Sequence, residues 1–172
     1  MRALRTGEKG GESDHGDRVL VPRSTDSVVR FEVRGMPQTQ GSMRAFIPKG
    51  WKRAIVTHVK GEKLKSWRGL IMDEAQKVAP AQPLEGALAI NVIFWLPRPR
   101  GHFGTGKNAN VLRASAPMYP SGKPDADKLM RALGDAIKGV IYRDDAQLVE
   151  IHAWKEYGTP GAIVEVWQRA MQ

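Results

Sequence analysis

The chain has 172 residues, no cysteine, and 27 lysines and arginines against 18 aspartates and glutamates, a net charge of +9. One domain of that length can bury a sizeable core, and the lack of cysteine excludes a disulfide scaffold, a thiolate zinc site, an iron–sulfur cluster and a cysteine nucleophile. No apolar run reaches the ~18 residues of a membrane span and no signal-peptide core is present, so a cytoplasmic protein with a polyanionic partner is expected.

Residues 1–26 mix glycine, serine, aspartate and charge without a period and read as a flexible arm. Within 27–34, Val29, Phe31 and Val33 alternate with Arg30, Glu32 and Arg34, the pattern of a half-buried strand ended by Gly35 and Pro37. A hairpin follows, with arms at 42–47 and 54–59 and a turn at Pro48-Lys49-Gly50. Residues 62–79 carry Leu64, Trp67, Ile71, Ala75 and Val78 at helical steps, and Pro80 and Pro83 stop that helix.

Residues 86–96 are apolar and β-branched, as in a central strand. The stretch 97–120 holds four prolines and three glycines and reads as a long loop. A second helix is expected over 125–138, with Leu129, Ala132, Leu133, Ala136 and Ile137 on one stripe, Pro124 in its first turn and Gly139 just past its end. Val140-Ile141-Tyr142 reads as a short strand and Arg143-Asp144-Asp145 as a turn. Residues 147–156 and 162–168 read as two closing strands around a turn at 157–161. The sum is an α+β fold, a mixed β-sheet with two main helices packed on it, in one domain over 27–172.

Charge is uneven along this order. Residues 27–118 hold fifteen cations and five acids, whereas 119–172 hold seven cations and eight acids. The basic body suits a phosphate-binding face, with Arg44, Lys49, Lys52 and Arg53 on the hairpin as its first contacts. Phe46 and Trp51 flank that hairpin and would either pack or stack on an unpaired base. The four histidines are dispersed and make no metal-ligand spacing.

The acids of the late segment form two pairs, Asp125-Ala-Asp127 and Asp144-Asp145. An extended approach to the helix points residues i and i+2 the same way, and Pro124 favours such an approach at Lys123. The helix and return strand would then bring all four carboxylates together. Such a cluster needs a cation or raised pKa values. With oxygen donors alone, the matching cation is Mg²⁺, with Mn²⁺ as substitute. A metal held by aspartates in a basic protein suits phosphoryl chemistry on nucleic acid. The plainer reading is that the same aspartates only favour a helix dipole and a turn. An EF-hand fails for want of the loop glycine and the distal bidentate acid.

The segment GKPDADKLMRALGDAIKGVIYRDDAQLVEI resembles the signature of the RusA family of Holliday-junction resolvases, the crossover junction endodeoxyribonucleases. The shared features are a D-x-D opening a helix, a following leucine and basic residue, an Asp-Ala pair, and D-D-x-Q before an apolar strand. The resemblance implies a RusA-like nuclease domain and a homodimer that makes paired symmetric nicks in four-way DNA, in recombination and repair. It implies Mg²⁺ on Asp125, Asp127 and Asp145, with Asp144 also required. Arg131 stands where the family usually has lysine and Lys128 where asparagine is usual, so Arg131 is expected to stabilise charge. Asp135 is expected first as the i+4 partner of Arg131. Lys123, Lys128 and Arg143 join the hairpin cations as expected DNA contacts. No small-molecule cofactor and no membrane partner are expected, and the setting implied is a bacterial cell or a phage-infected host. The rival readings are a non-catalytic nucleic-acid-binding protein and an Mg²⁺ nuclease of flap or branched DNA.

Overall fold

The computed structural model describes residues 29–41, 43–53, 55–58 and 61–169. Its strands are β1 (Val29–Arg34), β2 (Met43–Phe46), β3 (Ile55–His58), β4 (Leu88–Leu96), β5 (Leu148–Tyr157) and β6 (Gly161–Gln168). Its helices are α1 (Gly61–Val78) and α2 (Ala126–Ile137). The arm expected over 1–26 lies outside the described residues.

The main sheet has the order β1-β6-β4-β5. β4 runs antiparallel to β6 and parallel to β5, and β1 closes the far edge antiparallel to β6. A parallel β4–β5 pair needs a crossover, and α2 lies on it. This is the expected α+β arrangement of a mixed sheet and two helices. β4 is buried along nearly its whole length, as its β-branched sequence requires.

Leu88, Ile90, Val92 and Phe94 of β4 join Phe31 and Val33 of β1 and Val164 and Val166 of β6 in one core. Trp67, Ile71 and Ala75 of α1 and Leu129, Leu133 and Ile137 of α2 cover that core. The two helices therefore pack on one face and touch each other. Gly161 lets β1 and β6 close, because a Cβ there would stand 2.6 Å from the Val33 carbonyl oxygen.

Three local expectations change, while the hairpin forms close to its expected bounds: its register ends at Phe46 opposite Ile55, one residue inside each expected arm. The turn inside it is closed by Trp51 N–H donating to the Pro48 carbonyl at 2.9 Å. Pro124 precedes α2 instead of entering its first turn, and Asp125 is the N-cap. Residues 140–142 form no strand: Tyr142 makes only isolated pairings with Leu84 and Lys138, because the chain reverses at once after Gly139, whose φ is +77°. β5 and β6 follow one another across a short turn yet do not pair, since β4 lies between them.

The stretch 97–120 is more ordered than its prolines suggest. It holds two short 3₁₀ turns and a bridge between Phe103 and Leu112. Arg98 lies over the Tyr157 ring, 4.2 Å from its centroid, and donates to the Pro117 carbonyl at 2.8 Å. Arg113 Nε donates to the Phe103 carbonyl at 2.8 Å. Two of the loop's four cations thus hold the loop itself.

Candidate functional site

α2 organises the late acidic segment. Asp125 has extended backbone angles at the N-cap, but its carboxylate accepts no capping bond from the helix. Lys128 Nζ takes that carboxylate instead, at 2.6 Å from Oδ2. Hydrogen bonding to Lys128, and then the Lys128 charge, hold the Asp125 carboxyl below the usual carboxylate range, with Lys123 and Lys155 adding to the effect. The Lys128 ammonium is raised in turn, by the Asp125 hydrogen bond first, then by the Asp125 charge, with Asp127 contributing. Lys155 pins the approach to the helix by donating to the Gly122 and Pro124 carbonyls at 2.7 and 2.8 Å. Asp127 and Arg131 are exposed on the helix beyond.

The second pair stands at the other end of α2. Asp144 caps the 3₁₀ turn Asp145–Gln147 by a reciprocal box: its Oδ1 accepts from Ala146 N–H at 3.0 Å, and Gln147 Oε1 accepts from Asp144 N–H at 3.0 Å. Gln147 also donates to the Leu84 carbonyl at 2.9 Å, tying this turn to the segment before β4. Lys138 Nζ lies 2.7 Å from Asp144 Oδ2. The Lys138 hydrogen bond, then the Ala146 amide, lower the Asp144 carboxyl. The exposed Asp145 has Oδ1 3.8 Å from where a Cβ on Gly134 would stand. It faces the buried Tyr142 hydroxyl, whose phenol is pushed up by burial first and by the Asp145 carboxylate second.

The expected meeting of four carboxylates therefore does not occur within one chain. Asp125 and Gly134 are nine helical positions apart, roughly 13 Å along the axis at ~1.5 Å per residue. The early reversal after Gly139 returns the chain at the C-terminal end of the helix, and Leu84 N–H fixes it there by donating to the Ile141 carbonyl at 2.8 Å. Among the described residues, no three histidine or carboxylate side chains stand close enough to share one metal ion.

Asp135 is also not the partner of Arg131. It pairs with Arg68 of α1, which donates to the side chain of Gln40 as well. Gln40 N–H donates to the Lys128 carbonyl at 3.0 Å. Arg68 thus ties together α1, α2 and the segment after β1. Only the polar run Gln38-Thr39-Gln40 in the sequence hints at this junction, and Arg68 itself carries no sequence signal.

Of the expected DNA contacts, Lys49, Lys52 and Arg53 are exposed on the hairpin connection beside the exposed Trp51. The side chains of Arg44 and Phe46 lie outside the described residues. Lys123 is exposed beside Asp125. Arg143 stands apart, in a surface pair with Glu85 at 2.7 Å. Trp154 and Trp167 both alternate with apolar strand neighbours and are expected in the core; Trp167 is buried there, whereas Trp154, on the edge strand β5, is half-buried. No helix among the described residues is long and apolar enough to cross a membrane.

The sequence profile of the family described as endodeoxyribonuclease RusA matches residues 45–167. The chain is also 27% identical over 129 residues to the uncharacterized protein YqaN of Bacillus subtilis (strain 168), a match covering 75% of this chain and 87% of that protein.

Proposed function

This chain belongs to the RusA endodeoxyribonuclease family, a membership that implies Holliday-junction resolvase activity, and from that premise we propose that it is a Mg²⁺-dependent homodimer that resolves four-way DNA by paired symmetric nicks. Its work is recombination and repair in the cytoplasm. The observation that carries the reading is the acidic pair Asp125 and Asp127 at the start of α2, in which the Asp125 carboxylate is turned away from capping its own helix.

The donor chemistry fits a hard cation: the pair offers carboxylate oxygens only, as Mg²⁺ and Mn²⁺ prefer. Asp125 and Asp127 would hold the ion, with Asp145 as third ligand by family resemblance. When bound, such an ion polarises a phosphate and lowers the pKa of water. Asp145 stands beside Gly134, toward the C-terminal end of α2, so its place in the ligand set rests on the family resemblance and not on its distance from Asp125. Asp144 keeps the turn bearing Asp145 in place through its capping box. Arg131, exposed between the two pairs, steadies the extra negative charge of the transition state. Lys128 neutralises Asp125 before metal binds. A two-fold dimer matches two cuts placed symmetrically in a four-way junction.

The test is a synthetic four-way junction incubated with purified protein with and without Mg²⁺. Symmetric nicks that require the metal support the reading. Equal cutting of flaps and linear duplex would replace junction selectivity with a broader nuclease, and metal-independent binding without any product would leave only a DNA-binding protein. Asp145→Asn separates a ligand from a bystander: a ligand loses metal affinity on substitution, and a bystander does not.

A further inference from the structure

We propose that the cleft between residues 36–41 and the start of α2 holds one unpaired nucleotide of the strand being cut, and that Gln38 and Thr39 read its base. The proposal rests on the nuclease reading above and extends it to residues with no role in that reading.

The cleft is about 450 Å³, within the ~300–1,000 Å³ of small-ligand sites. That space matches the size of a single nucleotide. Its lining combines three chemistries. The exposed Met36 and the half-buried Pro124 offer apolar surface for the face of a base, with the buried Pro37 behind them. Gln38 and Thr39 place an amide and a hydroxyl beside that surface, and a glutamine amide pairs with base edges bidentately. Lys123 and Lys128 supply positive charge for the attached phosphate, and Asp125 borders the same space. A nucleotide seated here lies next to the proposed cutting centre.

Two further observations favour this occupant. The wall is held in place: Gln40 N–H bonds the Lys128 carbonyl at 3.0 Å, and Arg68 ties Gln40 to Asp135. Pre-organised walls suit recognition. By contrast, the groove that Met36 and Gln38 line against α1 carries Glu62 and Lys63 and so has no net charge, where the cleft with Lys123, Lys128 and Asp125 has a surplus of one cation for a phosphate. Gln38 Nε2 now donates to the Met36 carbonyl at 3.2 Å, an exposed bond that a base edge can replace.

The experiment uses a panel of four-way junctions that differ only in the bases at and next to the branch point. For each protein the readout is the ratio of cleavage rates between the best and worst base, which cancels any general loss of activity. Wild type should discriminate about 5-fold or more, the lower end of what one bidentate contact supplies. Gln38→Ala with Thr39→Val should flatten that ratio to within about 2-fold. If the double variant fails to fold, Gln38→Glu decides, since it keeps the shape and exchanges a donor for an acceptor; it should re-rank the bases. A wild-type protein that cuts all junctions equally, or variants that keep the wild-type ranking, would overturn the proposal while leaving the nuclease reading intact. A wild-type protein that cuts no junction at all overturns both.

Discussion

Two lysines sort the four aspartates of the late segment. Lys128 takes Asp125 and Lys138 takes Asp144, whereas Asp127 makes no ion pair among the described residues and Asp145 faces a phenol. Lys128 therefore competes with any cation for Asp125. Lys128→Asn should tighten Mn²⁺ binding by about 2- to 5-fold, the scale of an exposed ion pair; calorimetric titration of the two proteins checks this, and unchanged affinity would remove Lys128 from the site. The Asp144 contact has a pH signature. Its folded pKa is lowered, so its stabilisation is complete above the ordinary value of 3.8 and is lost as pH falls through the lower folded value. Wild type should therefore be more stable than Asp144→Asn at pH 6, with the gap closing as the pH is taken well below 3.8. Thermal melts across that range show it, and a gap independent of pH would contradict it.

At the scale of elements, α2 is held by packing on one side and by Arg68 on the other. Arg68→Met should destabilise by roughly 1–2 kcal/mol, as for a lost charge-assisted hydrogen bond that is partly solvated, and should reduce junction affinity by loosening the wall at 36–41. Urea unfolding and junction binding measure the two effects. Gly134 is a helical glycine whose added Cβ would meet the Tyr142 hydroxyl at 3.5 Å and Asp145 at 3.8 Å, ordinary contact distances. Gly134→Ala should thus stabilise by about 0.5–1 kcal/mol through helix propensity, a rise of about 1–4 °C in Tm; a fall would show that the Tyr142–Asp145 contact needs the space. The elements themselves were legible where one face is buried: the alternation of β1 and the stripe of α2 return as written. The loss of a strand at 140–142 and the pairing of β4 with β5 were not legible. Each depends on partners distant in sequence, and periodicity carries no information about them.

Over the whole molecule, the acidic segment was legible as a motif but not as an arrangement. Spacing marks Asp125 and Asp127 at a helix start, and the structure puts them there. The distance to Asp144 and Asp145 is decided by where the chain turns after Gly139, which a local pattern does not reveal. The cation surplus of residues 27–118 predicts salt-sensitive DNA binding, but every rival reading shares that behaviour. The decisive claim is that Asp127 holds a catalytic ion over DNA. The direct measurement is cleavage and binding of a synthetic four-way junction by wild type and Asp127→Asn, each with and without Mg²⁺. Wild type should make Mg²⁺-dependent symmetric nicks, and the variant should lose at least about 100-fold in rate, on the scale of removing a key electrostatic group from a reacting centre, with junction binding retained. Cleavage by Asp127→Asn at the wild-type rate, with binding unchanged, would contradict that claim.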